Sequence, residues 1–255
     1  MFDPVFTATA VPFFAGALGG AMNALAGGGT FATLPSLIAL GLPSNIANAT
    51  SNVALVPGAG ASAWTFRDEL GPMGGVGWRV LAAITFVSGL IGSLLLVLTP
   101  SDLFDVMIPW LLLLAFLVIA FGKRAGNWLH GRVKIGSRTL MIAQGILGIY
   151  GGYFGGGVGL MTTATYGLLA NVHPREMFAI RTTMLAVANV AAAAIFIAFG
   201  MVRWMACLSM LVGALIGGWL GAHVGKKLPA GYVRVWTLLV TGGTTVIFFI
   251  RAYGG

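Results

Sequence analysis

The chain has 255 residues, 58% of them hydrophobic and only 8% charged, and it carries a net charge of +8. With a mean hydropathy of +0.95, that balance excludes a soluble domain. It also argues against nucleic acid as a partner, because the basic residues lie between apolar runs, where the cytoplasmic loops of membrane proteins collect Lys and Arg.

No charged side chain falls between Asp3 and Arg67. Further uncharged runs cover 80–101, 106–122, 139–172, 182–202, 204–225 and 235–250. An α-helix needs about 20 apolar residues to cross a bilayer, so the expected fold is an all-α polytopic membrane protein. The runs are continuous and do not alternate, which excludes an outer-membrane barrel. The opening MFDPVFTATAVPFF lacks a basic n-region, so no cleaved signal peptide is expected. Cys207 stands alone, which leaves neither a disulfide framework nor a cysteine metal site.

In chain order, the first element is expected as a helix broken by glycines, 12–26 plus 30–41. Helices follow at 44–66, 78–98 and 103–122. A basic linker, KRAGNWLHGRVKIGSR (123–138), separates them from a second broken element, 139–154 plus 158–170, and from helices at 174–199, 204–225 and 231–250. Residues 1–122 and 139–255 therefore read as two repeated halves. GGGTFATLPSLIALGLPSNIANATSNVAL from Gly27 corresponds to GGGVGLMTTATYGLLANVHPREMFAIRTTMLA from Gly155. Pro43 matches Pro174, GLIGS (89–93) matches ALIGG (214–218), and Pro100 matches Pro229. Internal repeats of this kind are common in transporters.

The second piece of each broken element is short for a full crossing. Either the element is one kinked crossing, or it enters and leaves on the same face. With re-entrant elements and the N-terminus outside, the cytoplasm collects Arg67, Arg79, Lys123, Arg124, Arg132, Lys134, Arg138, Arg175, Lys226, Lys227 and Arg234. Arg203 and Arg251 are then left outside with Asp3, Asp102 and Asp105. The positive-inside rule favours this arrangement, and it makes the halves inverted relative to each other.

Non-helical backbone inside a membrane is tolerated only where protein or water covers it. Breaks at Gly27, Gly28 and Gly29 and at Gly155, Gly156 and Gly157 thus imply a protein-lined cavity. Each break frees the N–H groups of the helix that starts after it, at Thr30 and at Val158, and helix starts attract anions. Gly16, Gly20, Gly89, Gly213, Gly217 and Gly221 read instead as helix-packing glycines. A second polar cluster comprises NATSN (48–52), with Thr50, Ser51 and Asn52, opposite Arg181, Thr182 and Thr183. These could complete a binding site or simply bond to their own helices. Asn23, Gln144 and Asn189 are weaker candidates.

Arg181 lies about 10 Å into its helix. An arginine at such depth faces a partner or a water-filled cavity, or snorkels to the headgroups. The nearest acid in sequence, Glu176, is not on the same helix face. No carboxylate lies deep in any expected span, which argues against a buried carboxylate relay. His173 and His223 fall near helix ends, and Trp64, Trp78 and Trp204 fall where an aromatic belt would sit. H-E-x-x-H, G-x-S-x-G and paired acids inside spans are all absent, so no enzyme and no cofactor are expected.

The GGG break, the LIALGLP segment and the polar cluster, repeated as GGGVGLM…HPREMFAIRTT, resemble the TauE/SafE sulfite exporter family, also called the toluene-sulfonate uptake permeases. The likeness covers nearly the whole chain. It implies an inner-membrane carrier of a small anionic substrate, such as sulfite, a sulfonate, sulfoacetate or a thiosulfate-like oxyanion. It carries a substrate role onto Gly27–Gly29, Thr50, Ser51, Asn52, Gly155–Gly157, Thr182 and Thr183. It does not extend to Arg181, which stands where the first half has Thr50. Another small anion or a neutral metabolite is the alternative cargo, by carrier or by channel. Besides the lipid bilayer, a homodimer stays open as a partner, since apolar faces that meet lipid cannot be told from a dimer interface.

Overall fold

The computed structural model describes residues 4–129, 136–169, 174–225 and 230–254. Ten α-helices make up almost all of it. The first half holds α1 (Pro4–Ala26), α2 (Thr30–Ala39), α3 (Ser44–Thr65), α4 (Trp78–Val97) and α5 (Ser101–Leu129). The second holds α6 (Ser137–Tyr153), α7 (Val158–Leu169), α8 (Pro174–Ala198), α9 (Trp204–Gly225) and α10 (Ala230–Tyr253).

Three helices outrun the sequence expectation. α1 already includes Pro4 where the expected start is residue 12. α5 continues past Gly122 to Leu129, into the basic run 123–138. A helix leaving a membrane has no reason to stop at its first charge. α10 runs on to Tyr253. Linker residues 130–135, His173, Lys226 and Lys227 lie outside the described residues, as do the side chains of Lys123, Arg124, Arg175, Glu176 and Arg234.

Six described helices contain windows long and apolar enough to cross a membrane, within α1, α4, α5, α8, α9 and α10. Large apolar side chains such as Phe14, Ile142, Met205 and Leu239 face outward from them. That is the expected surface of a protein whose solvent is lipid.

Helices α3 and α8 cross at the centre. α1 packs along α9 on one flank, α6 along α4 on the other, and α5 on α10. Exchanging the halves (α1 for α6, α2 for α7, α3 for α8, α4 for α9, α5 for α10) maps the principal packed pairs onto one another.

The flanks close through glycine. A Cβ on Gly16 or Gly20 would run into the backbone of Met210 or Ala214, and one on Gly213, Gly217 or Gly221 into that of Phe13, Ala17 or Ala21. Rising numbers meet rising numbers, so α1 and α9 run parallel. Gly148 and Gly152 meet Ser88 and Gly89 in the same sense, so α6 parallels α4. Small residues let helix backbones approach this closely in membranes.

Side-chain contacts group the helix ends. At one end, Ser137 Oγ donates to Gly74 O (3.2 Å), and the Phe66 and Phe178 rings meet edge to face at 4.6 Å. Arg67, Arg79 and Arg138 are exposed there. At the other end, Asn45 Nδ2 donates to Thr99 O (3.2 Å), Trp110 Nε1 to Tyr253 Oη (2.9 Å) and Ser209 Oγ to Thr9 O (2.5 Å). Asp102, Arg203 and Arg251 are exposed at that end.

Candidate functional site

Both breaks are real interruptions, and glycine makes them. Gly27 closes α1 with φ +76°, donating its N–H to Asn23 O at 2.9 Å. Gly155 (φ +75°) closes α6, and Gly157 (φ +76°) turns the chain into α7. L-residues seldom adopt that left-handed conformation. The two breaks meet back to back, where a Cβ on Gly27 would lie 2.8 Å from Gly159 Cα. All six triplet glycines are buried. The Phe31 ring lies over Gly28 and Gly157, and the Phe154 ring over Gly156.

The amides released at the breaks are only partly satisfied. Asn23 Oδ1 accepts from the Gly29 N–H at 3.3 Å. The N–H groups of Phe31, Ala32 and Thr33 turn to the carbonyls of Gly28 and Gly29. Among the described residues, the N–H groups of Gly28, Thr30 and Gly156 through Leu160 make no well-formed hydrogen bond within the chain. Thr30 and Val158, which open α2 and α7, are both buried. Tyr150 Oη lies 3.0 Å from Gly156 O and 3.1 Å from Leu111 O. It thereby ties the second break to α5. Tyr150 is not among the candidates the sequence offers, and only its place beside the glycines of YGGYFGGG marks it.

On α3, Thr50 Oγ1 accepts the Arg203 backbone N–H (3.1 Å). Ser51 Oγ shares a hydrogen bond with Thr33 Oγ1 (2.5 Å), pinning α2 to α3. Asn52 Nδ2 donates to Asn189 Oδ1 of α8 (3.4 Å) and lies 3.1 Å from where a Gly155 Cβ would stand. One turn earlier, Asn48 Nδ2 donates to Tyr153 O (3.1 Å). On α8, Thr182 Oγ1 bonds back to Phe178 O and Ala179 O (both 3.0 Å). Thr50 and Ser51 thus bond across to other elements, and Thr182 back to its own helix.

Five buried side-chain atoms of the described residues lack a hydrogen-bond partner, and four of them sit on the crossing pair: Asn48 Oδ1, Asn52 Oδ1, Arg181 Nη2 and Thr183 Oγ1. The fifth is Thr241 Oγ1 on α10. A buried unsatisfied polar group costs about 1–3 kcal/mol, so their concentration opposite the breaks calls for a ligand or water.

The predicted residues do not converge on one point. Asn52, Asn189 and Gly155 meet. So do Gly27, Gly159 and the Arg181 stem, whose Cγ lies 3.5 Å from the position of a Gly159 Cβ. Arg181, however, is eight residues from Asn189, about 12 Å along α8. Its guanidinium turns further away, with Cζ 4.2 Å from the centre of the Phe178 ring.

Gln144 is absorbed by structure. Its Oε1 accepts from Tyr166 Oη (2.5 Å) and its Nε2 donates to Thr85 Oγ1 (2.6 Å). Thr85 Oγ1 in turn lies 2.7 Å from Leu81 O and 3.2 Å from Met184 Sδ. At the matching place on the α1–α9 flank stand Gly16 and Met210, backbone against backbone. Among the described residues no group of three His, Cys, Asp or Glu could hold a metal.

Apolar crossing helices that enclose two broken elements and a set of unpartnered polar groups define an integral membrane transporter. Comparison with known proteins agrees. A family model described as "Sulfite exporter TauE/SafE" matches residues 12–248, and the chain belongs to that family. A "Probable membrane transporter protein" of Haemophilus influenzae is 29% identical over 240 residues, covering 91% of this chain and 92% of the relative. The "Probable membrane transporter protein YfcA" of Escherichia coli K12 is 27% identical over 223 residues, covering 86% and 82%. The "Probable membrane transporter protein ORF9" of a Sinorhizobium species is 26% identical over 250 residues, covering 94% and 92%. No solved structure matches significantly. The chain is an integral protein of the inner membrane.

Proposed function

We propose that the chain is a secondary carrier, not an enzyme, of a small sulfur-containing oxyanion such as sulfite or sulfoacetate. The observation that carries this reading is the set of unbonded amide N–H groups at two buried breaks facing unpartnered polar side chains. Backbone amides at a helix start are donors that suit an oxyanion with several acceptor oxygens. The family's description as sulfite exporters supports the sulfur chemistry. Phe31 and Phe154, lying over the triplets, are the covers that must move for cargo to reach the amides.

One observation favours a second reading. Asn48 Oδ1 and Asn52 Oδ1 are acceptors, so a cargo that also offers a donor satisfies more of the site. Hydrogensulfite and taurine do so as anion and zwitterion; a neutral hydroxylated metabolite does so without charge. Uptake into proteoliposomes of sulfite, taurine, sulfoacetate, thiosulfate, sulfate and a neutral polyol separates the readings. Saturable flux of at least one sulfur oxyanion is expected; flux of the polyol alone, or of nothing, refutes the carrier of sulfur anions.

The inverted arrangement of the halves belongs to the same proposal. It is supported by the grouping of helix ends. α3 begins beside Thr99, whereas its counterpart α8 begins beside Phe66. α1 begins beside Ser209, whereas its counterpart α6 begins beside Gly74. The end bearing Arg67, Arg79 and Arg138 is then cytoplasmic by the positive-inside rule. One half moving against the other would open the site to each side in turn. Arg79, in the first turn of α4, and Arg203, just before α9, stand at the starts of helices that exchange places when the halves are exchanged. Cysteines introduced at these two positions should label from opposite faces of the membrane, whereas labelling from one face rejects the inversion; native Cys207 is buried.

A further inference from the structure

We propose that Arg181 forms an anion subsite of its own at the basic mouth of the transporter, separate from the polar cluster at the α3–α8 crossing. This deepens the anion-carrier reading and rests on it. The predicted site placed Arg181 beside Thr183 and Asn52 as one charge on one shared cargo. The geometry separates Arg181 from Asn52.

Arg181 is 7% exposed, and its Nη2 is buried with no hydrogen-bond partner. Among the described residues no carboxylate pairs with it. A guanidinium with a free, dehydrated donor and no counter-ion is unfinished without an acceptor. Its planar fork matches two oxygens of a sulfite, sulfonate or similar oxyanion.

The direction of the side chain decides which mouth it serves. Helical side chains lean toward the helix N-terminus, and this guanidinium lies over Phe178, one turn nearer the start of α8. Phe178 stacks edge to face on Phe66, which caps α3 at the end where Arg67, Arg79 and Arg138 are exposed. Asn189, and Asn52 bonded to it, lie the other way along α8, Asn189 about 12 Å from Arg181, too far for one small oxyanion to touch both that pair and the guanidinium; the Gly159 backbone, beside the Arg181 stem, belongs to the Arg181 side.

The opposite mouth has no such station. The position matching Arg181 is Thr50, and its hydroxyl is already taken by the Arg203 backbone N–H. Cargo therefore meets a buried, unpaired charge on the basic side, whereas the arginine beside Thr50 at the other mouth, Arg203, is exposed to solvent. Arg181 draws the anion in, or holds it on release, at one face only.

The test reads KM separately from each face, in oriented proteoliposomes carrying the full chain, with sulfite as probe. Arg181→Gln is expected to raise KM at the basic face about tenfold to a hundredfold, the worth of a charge-assisted hydrogen bond, with KM at the other face changed less than about twofold. Arg181→Lys keeps the charge, should fold if Arg181→Gln does not, and should restore part of the affinity at that face. Equal rises at both faces would merge Arg181 with the central cluster and overturn the proposal. Unchanged KM at both faces in variants that still transport would make it a packing residue. Wild-type protein that neither moves nor binds sulfite, taurine, sulfoacetate or thiosulfate refutes the carrier reading itself, a result distinct from either of these.

Discussion

Gly27→Val abolishes transport while the protein remains folded in the membrane. Two costs coincide at this residue. Its φ of +76° costs an L-residue about 1–2 kcal/mol. Its side chain would also point at the Gly159 Cα, 2.8 Å from the first carbon. That neighbour is backbone, not a flexible side-chain end, so the two breaks must separate for the variant to exist. A displacement of about 1 Å at a binding site can cost about a hundredfold in rate, and a fall of at least that size in initial uptake is expected. Gly41→Ala is the control. Gly41 has a similar φ, +86°, yet nothing lies within 4 Å of where its Cβ would stand. It carries the strain without the collision and should keep transport. Equal loss in both variants would show that backbone strain, not the meeting of the breaks, is what matters.

Gly217→Leu prevents folding, because the α1–α9 flank closes only through hydrogen. Even the first carbon of a side chain at Gly217 would enter Ala17 O. Gly217 also lies between Gly213 and Gly221 on the same stripe, so no neighbouring gap can absorb the displaced helix. Overpacking a tight interface costs about 1–3 kcal/mol and sometimes more; here two backbones must part, and the upper end or beyond is expected. The adjacent residue gives the contrast. A Cβ on Gly218 would meet its nearest neighbour, Gly20 O, at an ordinary 3.7 Å. Thermal unfolding in detergent should show Gly217→Ala well below wild type and Gly218→Ala close to it. Matching melting points would mean that the flank is softer than its geometry implies.

Much of the fold was legible in the sequence because lipid permits few alternatives. An uncharged run between Arg79 and Pro100 can hardly be anything but a crossing helix, and it is α4. The breaks were legible because three glycines together are poor helix. Which glycines turn left-handed was not, since Gly27, Gly28 and Gly29 are identical as letters and only the packed partner, Gly159, distinguishes them. The polar positions on α3 and α8 could be picked out, but not their division of labour. Thr50 and Ser51 proved to be occupied by Arg203 and Thr33, residues remote in sequence. Arg181 was visible as a buried charge, but its heading depends on a rotamer and on Phe178. Gln144 was a weaker candidate in the sequence, and Tyr166 and Thr85 hold both ends of its amide.

Those last bonds have a sequel for any working cycle. Near α7 the α4–α6 flank is fastened by a chain of hydroxyl, amide and sulfur atoms, while the matching α1–α9 flank relies on Gly16 against Met210. Duplicated parts joined by unlike fasteners do not swing with equal ease. If cargo crosses by rocking, the inward-facing and outward-facing forms are unequal in free energy, and the empty carrier has a preferred resting side.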